Sequence, residues 1–260
     1  MSLSVLLPSG WSAILWILLL EIVAHVGLWV HNHYKWFKNT TFANEFVSVI
    51  FSVLSLIYSL LLAFVIVAVW ENYENLNRTI ERESDHLSSV LVHSEMLPDS
   101  LKTEVRDYIR LYCDQVSERE WDMLETPERY RPSAIPNLRL LLFKVESTTK
   151  ATENVLSVLD QDLSDISSLR RERLTHTRSY VPGLVWDILL AGTFLVIVFS
   201  YLFQSKDQRL KRLILSFLWA MMGMSLFLLY ALDHPFSGST QVSRQPYESI
   251  THSLENVHPH

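Results

Sequence analysis

Hydrophobic residues in this chain gather into four long blocks, Trp11 to Val30, Phe46 to Trp70, Val181 to Phe203 and Leu213 to Leu232. Each is long enough to cross a bilayer core as a helix, which needs roughly 20 apolar residues. The second block carries no charge from Phe46 to Trp70, yet one side of it is polar. Ser48, Ser52, Ser55 and Ser59 follow one another at steps of four, three and four, and Leu62 and Ile66 continue the stripe as apolar residues. That spacing puts all six on one side of a helix. Small hydroxylated residues let membrane helices pack closely and bond back to their own backbone, which is one reading. The other is a pore wall, wet along the serines and narrowed at Leu62 and Ile66.

The first block also departs from a plain lipid-facing helix. Glu21 and His25 are four residues apart and share a face. An ionisable pair inside a membrane helix is costly unless it is partnered, so it is either an internal bonding pair or part of an ion or proton path. The block has no Lys or Arg before it, which argues for a retained helix rather than a signal peptide.

The polar positions between blocks two and three predict a helical domain. After Trp70 and Tyr73 the second helix is expected to run on to about Val92, with Leu76, Ile80, Leu87, Val90 and Leu91 mostly on one side. Leu97-Pro98-Asp99-Ser100 reads as a helix start, opening a helix from about Leu101 to Leu124. The proline-rich run TPERYRPSAIP is a loop. Asn137 to Arg178 reads as one long helix ending in Arg170, Arg171, Arg173 and Arg178. Tyr180, Pro182 and Trp186 suit a membrane interface. The polar tail is expected to be loose, with His252, His258 and His260 solvated. The expected fold class is an all-α integral membrane protein. Its four transmembrane helices form a two-plus-two arrangement with a helical soluble insert between the second and third. The boundaries are 1–70, 71–179, 180–233 and 234–260.

Composition narrows the functions. The chain has 260 residues, 49% of them hydrophobic, and a net charge of −6, which argues against nucleic acid as a partner. The single cysteine, Cys113, excludes an internal disulfide and, set in an apolar helix, is expected to be inert. No phosphate loop, GxSxG or HExxH motif is present, so enzyme catalysis and a cofactor find no support. His31-x-His33 lacks supporting ligands, and no metal site is expected. Basic residues divide between the short loops (Lys35, Lys38, Lys206, Arg209, Lys211, Arg212) and the insert's flanks (Arg78, Arg82, Arg170, Arg171, Arg173, Arg178), so orientation is a near tie.

Several motifs carry a resemblance. They are LIYSLLLAFVIVAVW from Leu56 to Trp70, Glu120-Trp121, the RxxRL run at Arg170 to Leu174, Pro182 with Trp186, and a DxPFxG box from Asp233 to Gly238. With the four-block layout they resemble the bacterial bestrophin-like membrane proteins, remotely similar to bestrophin channels. The resemblance implies a homo-oligomer, a pentamer, in a bacterial inner membrane that conducts inorganic ions, anions first. It implies a pore lined by the second helix, with a neck drawn from Leu62, Phe64 and Ile66, and a cytosolic vestibule made by the insert. Arg170, Arg171 and Arg173 would line that vestibule or meet lipid headgroups. Asp233 would cap the turn at Pro235 rather than bind calcium. The alternative is a non-conducting anchor or sensor whose insert binds a protein partner. A minor third option is a proton- or metal-coupled transporter using Glu21 and His25.

Overall fold

The computed structural model describes residues 9–34, 43–121, 132–145, 149–176, 179–203, 207–236 and 241–256. Lys35, Trp36, Lys38, Arg178, Lys206, Gly238, His258 and His260, and most of the expected proline-rich loop, lie outside them. Among the described residues every regular element is helical. The elements are α1 (Ser9–Tyr34), α2 (Ala43–Ser94), α3 (Asp99–Asp114) with a π turn (Gln115–Glu120), α4 (Ala134–Phe143), α5 (Lys150–Thr175), α6 (Gly183–Tyr201), α7 (Gln208–Asp233) and α8 (Gln245–Asn256). Four of them, α1, α2, α6 and α7, are long and apolar enough to cross a membrane. The chain divides into two units, 1–72 with 179–241, and 73–178 with 242–260.

The first unit contains the four candidate spans. α1 packs along α7 because both present small or aromatic residues to each other. A Cβ placed on Gly223 would sit 3.5 Å from the Ile17 backbone, so the helices meet there with little room to spare. Ala24 and Leu28 of α1 enclose Trp219 and Leu215 of α7 together with Ile197 and Tyr201 of α6. Tyr201 donates from its hydroxyl to the Ala24 carbonyl at 2.8 Å. α2 meets α6 through Tyr58, whose hydroxyl pairs with Thr193 Oγ1 at 2.7 Å. Much of the remaining surface of α1 and of the α2 span is exposed and apolar, including Leu18, Ile22, Val26, Ile57 and Leu60. A belt of that size fits lipid or further subunits, not water.

The second unit is a bundle built on the outer half of α2. Leu76, Ile80, Glu83, Leu87, Val90 and Ser94 are buried at steps of four and three, the narrow seam of a packed helix. α5 answers with Leu159, Leu163, Ile166 and Leu169, and α3 with Val105, Ile109 and Tyr112.

Three expectations are corrected here. The helix expected from Asn137 to Arg178 is two helices, because Thr149 caps α5 by accepting from the Thr152 amide at 3.2 Å. The helix expected from about Leu101 to Leu124 starts at Asp99, with Pro98 at its N-cap and no side-chain cap, and is not α-helical throughout, since Gln115–Glu120 is a π turn; residues 122–124 lie outside the described ones. Over residues 241–256 the tail is not loose. α8 packs within the second unit and buries Val242, Tyr247 and Ile250, none of which forms a long enough apolar run to announce a helix.

Candidate functional site

Along the α2 span the serines do not share one environment. Ser52 and Ser59 are exposed and Ser48 is half-buried, while Ser55 is half-buried with its Oγ shielded and without a hydrogen-bond partner. The hydroxyls of Ser48, Ser52 and Ser59 donate to the carbonyls of Glu45, Ser48 and Leu56 at 2.7, 2.7 and 3.0 Å. Their protons are therefore spent on the helix itself, and what they present outward is oxygen lone pairs. Ile66 is half-buried and Phe64 is 65% exposed. Leu62, expected on the same wall, is only 7% exposed and packs within its own subunit. One stripe of the exposed surface of α2 runs through Ser52, Leu56, Ser59, Ala63 and Val67 to Trp70, beside the equally exposed Val53, Ile57, Leu60 and Phe64.

In α1, His25 Nδ1 lies 3.2 Å from Glu21 Oε2 and 2.9 Å from the Glu21 carbonyl. His25 Nε2 is 3.4 Å from Ser216 Oγ on α7.

The arginines at the end of α5 are placed otherwise than expected. Arg173 is 0% exposed. Its Nε donates to Glu83 Oε2 at 2.9 Å, and its Nη2 to Glu83 Oε1 at 3.3 Å and Glu120 Oε1 at 2.7 Å. Arg170 donates from Nε and Nη2 to Glu120 Oε2 at 2.8 and 2.5 Å. Tyr112 donates to Glu83 Oε1 at 2.6 Å. Arg173 lies over the Trp121 and Tyr247 rings at 5.7 and 5.6 Å. Two guanidinium and two carboxylate groups so arranged are neutral together and internal to the unit. Arg170 and Arg173, expected at a vestibule or at lipid headgroups, are thus engaged with Glu120 and Glu83 inside the unit, whereas Arg171 is exposed. Burial alone would lower the Arg173 pKa, but Glu83, Tyr247 and Glu120 hold it well above its ordinary value. Burial, reinforced by Glu83, pushes the Tyr112 hydroxyl well above the usual tyrosine range. The buried Cys113 thiol is pushed up to about 12, chiefly by burial, and so stays protonated and inert.

Sequence reasoning found Glu120, Trp121 and the arginines but missed Glu83, Tyr112 and Tyr247. Glu83 had a signal, since it is a charged residue in the seam between Ile80 and Leu87. The π turn had none. Its Trp121 amide bonds back to Val116, five residues earlier, at 3.0 Å, and the extra residue turns both Val116 and Glu120 inward. A second missed group is Asp162, which takes His86 Nδ1 and His93 Nδ1 at 2.9 and 3.0 Å on its two oxygens.

Asp233 caps a different turn from the one expected. Its side chain is buried at the end of α7 and accepts from Ser179 Oγ at 2.5 Å, from the Tyr180 and Val181 amides at 2.8 and 2.9 Å, and from Trp186 Nε1 at 3.3 Å. It thereby fixes the segment leading into α6, and it explains why the Asp box and the Trp occur together. Among the described residues no group of three or more His, Cys, Asp or Glu is placed to hold a metal ion.

Comparison with known proteins places this architecture. A family model described as the bestrophin-like domain matches residues 18–247. No curated protein matches the chain. Among solved structures, a mutant of a bacterial bestrophin homolog from Klebsiella pneumoniae superposes with a TM-score of 0.70 at 12% identity, covering 94% of this chain and 99% of that one. A second mutant of that homolog gives a TM-score of 0.64 at 14% identity, with coverage of 95% and 97%. A structure described only as a membrane protein gives 0.67 at 12% identity, covering 94% and 98%. At these identities the structures speak for the fold. The family model, spanning most of the chain, speaks for descent, and the protein is a membrane protein that belongs to the bestrophin-like family.

Proposed function

We propose that this chain is one subunit of a homo-oligomeric ion channel, a pentamer, with the exposed side of α2 turned toward a shared axis. The observation that carries the proposal is the exposed hydroxyl-bearing face of the most apolar span. A helix meeting only lipid gains nothing from presenting Ser52 and Ser59, whereas a water-filled axis solvates their free lone pairs. Ile66, beside Ala63 and Val67, is the proposed apolar narrowing, with Leu62 packed behind it. The insert is proposed to lie on the cytoplasmic side of a bacterial inner membrane, as the family resemblance implies, with Arg171 free to meet the vestibule or lipid headgroups.

For the ion, two readings are separable. The spent hydroxyl protons leave an acceptor surface, and the second unit carries the whole net charge of −6. Both features favour cations. The family resemblance implies anions. Reversal potentials of the reconstituted protein under opposed salt gradients separate the two. Replacing Ile66 with Ser is expected to raise conductance by removing an apolar barrier. Unchanged flux through correctly assembled protein would refute the narrowing.

The rival is a non-conducting anchor whose insert binds a protein partner. It requires the α2 face to be covered by lipid or by one partner helix, and it predicts no flux at all.

A further inference from the structure

Away from the α2 face, one ionisable group in the membrane unit has incomplete bonding. Glu21 lies within the α1 span, its side chain 18% exposed. Its Oε1 is shielded from solvent and makes no hydrogen bond. Its Oε2 faces His25 Nδ1 at 3.2 Å, and that nitrogen also faces the Glu21 carbonyl at 2.9 Å. Two acceptors on one ring nitrogen place a hydrogen on Nδ1. The other ring nitrogen, Nε2, then accepts from Ser216 Oγ, 3.4 Å away on α7. Ser216 also reaches the Glu21 carboxyl, though not in hydrogen-bond geometry with Oε1. Trp219 closes the other side, edge-on to the imidazole at 5.1 Å.

Drawn this way, the site is one proton short. A neutral His25 beside an ionised Glu21 leaves a negative charge in the span, with one carboxylate oxygen unsolvated, which a hydrocarbon setting opposes. One added proton neutralises it, and two atoms can take that proton, Glu21 Oε1 or His25 Nε2. The Ser216 hydroxyl, 3.4 Å from that nitrogen and within reach of the same carboxyl, can donate or accept with either.

We propose that Glu21, His25 and Ser216 form a proton-binding site inside the membrane unit of each subunit, holding one exchangeable proton that acts on the packing of α1 against α7. Its effect on conduction rests on the channel reading above. The proton binding itself does not.

Few charged groups in the unit face this site. α7 carries Arg209, Lys211 and Arg212 before Ser216, and Asp233 at its far end, engaged with Ser179 and Trp186. Lys211 bonds the Tyr201 carbonyl at 3.2 Å and lies near His31, further along α1. α6 offers Asp187, exposed in its first turns, and the uncharged Ser200 and Tyr201, whose hydroxyls are bonded to the Ile197 and Ala24 carbonyls. The span of α2 carries Glu45 and Glu71 at its ends only. Glu21 is thus the one carboxylate in the middle of the four spans.

The test is an infrared pH titration of the full chain reconstituted in lipid, from about pH 5 to about pH 9, with Glu21→Gln and His25→Gln alongside. The expected result is a carboxyl or imidazolium signal that titrates in the wild type and is lost in Glu21→Gln. Identical titrations of the two would overturn the proposal. Should Glu21→Gln fail to assemble, Ser216→Ala keeps both titrating groups and is expected to shift the midpoint, and an unmoved midpoint overturns the site equally. This readout needs no current, so it stands apart from the channel reading. Where flux is present, its pH profile is expected to flatten in Glu21→Gln. A site that titrates while flux ignores pH overturns the coupling to conduction.

Discussion

Replacing Arg173 with Met tests the buried charge cluster through a cost that the geometry assigns to one residue. Methionine keeps an unbranched side chain in the space and removes the guanidinium. Glu120 retains Arg170, bonded to it at 2.8 and 2.5 Å, so one carboxylate stays compensated. Glu83 keeps the Tyr112 hydroxyl at 2.6 Å but loses its cation, and its side chain is 0% exposed, so it becomes a buried charge without a counter-charge. Breaking a buried pair in this way costs about 3–5 kcal/mol. Adding Glu83→Gln removes the orphaned charge while leaving a partner for Tyr112, so the double variant is expected to recover to within about 2 kcal/mol of the wild type. The assay is unfolding of the purified full chain in lipid nanodiscs, followed by near-ultraviolet circular dichroism. That signal reports on Trp121, Tyr112 and Tyr247 in the same cluster. A loss below about 1 kcal/mol in the single variant, or a double variant no better than the single, would refute the reasoning.

Other predictions test the remaining contacts. Asp233→Asn exchanges a four-fold acceptor for a group that turns donors toward donors, and is expected to cost about 3 kcal/mol and loosen the start of α6, read by hydrogen exchange at Tyr180 and Val181. Gly192→Ala places a Cβ 2.5 Å from Tyr58 Cδ2 and is expected to cost about 1–3 kcal/mol with loss of the Tyr58–Thr193 bond, whereas Gly183→Ala, with nothing within 4 Å, is expected to be neutral in the same melting assay. Alkaline pH is expected to destabilise the second unit. The folded pKa values of Cys113, Tyr112 and Tyr247 are all raised by burial, so the unfolded chain releases those protons first. Stability is then full below about pH 9 and falls above it, by up to about 1.4 kcal/mol per pH unit for each group. A melting curve flat to about pH 11 would contradict this.

What could be read from the sequence was what periodicity and long apolar runs encode. The four spans, the stalk-like continuation of α2 and the apolar faces of α3 and α5 all follow from spacing. What escaped was set by contacts between distant positions. Arg170, Arg171 and Arg173 look alike as a basic run, but a helix turns each by about 100°, so Arg173 meets Glu83 and Glu120 while Arg171 faces out. The serine stripe illustrates the same limit. Spacing placed Ser48 to Ile66 on one side, but only the neighbouring helices decide that Ser59 lies open and Leu62 is covered. α8 was hidden because its burial rests on a few residues, Tyr247 above all, in an otherwise polar segment. The resemblance carried what the residues alone did not, a family-level expectation of assembly around α2.

The measurement that bears most directly on this account is the subunit count of the purified protein by native mass spectrometry in a mild detergent. A pentamer is expected, which gives the exposed face of α2 a common axis to line. A monomer or dimer would leave Ser52, Ser59 and Ile66 no ring to form, and would contradict the channel reading in favour of an anchor.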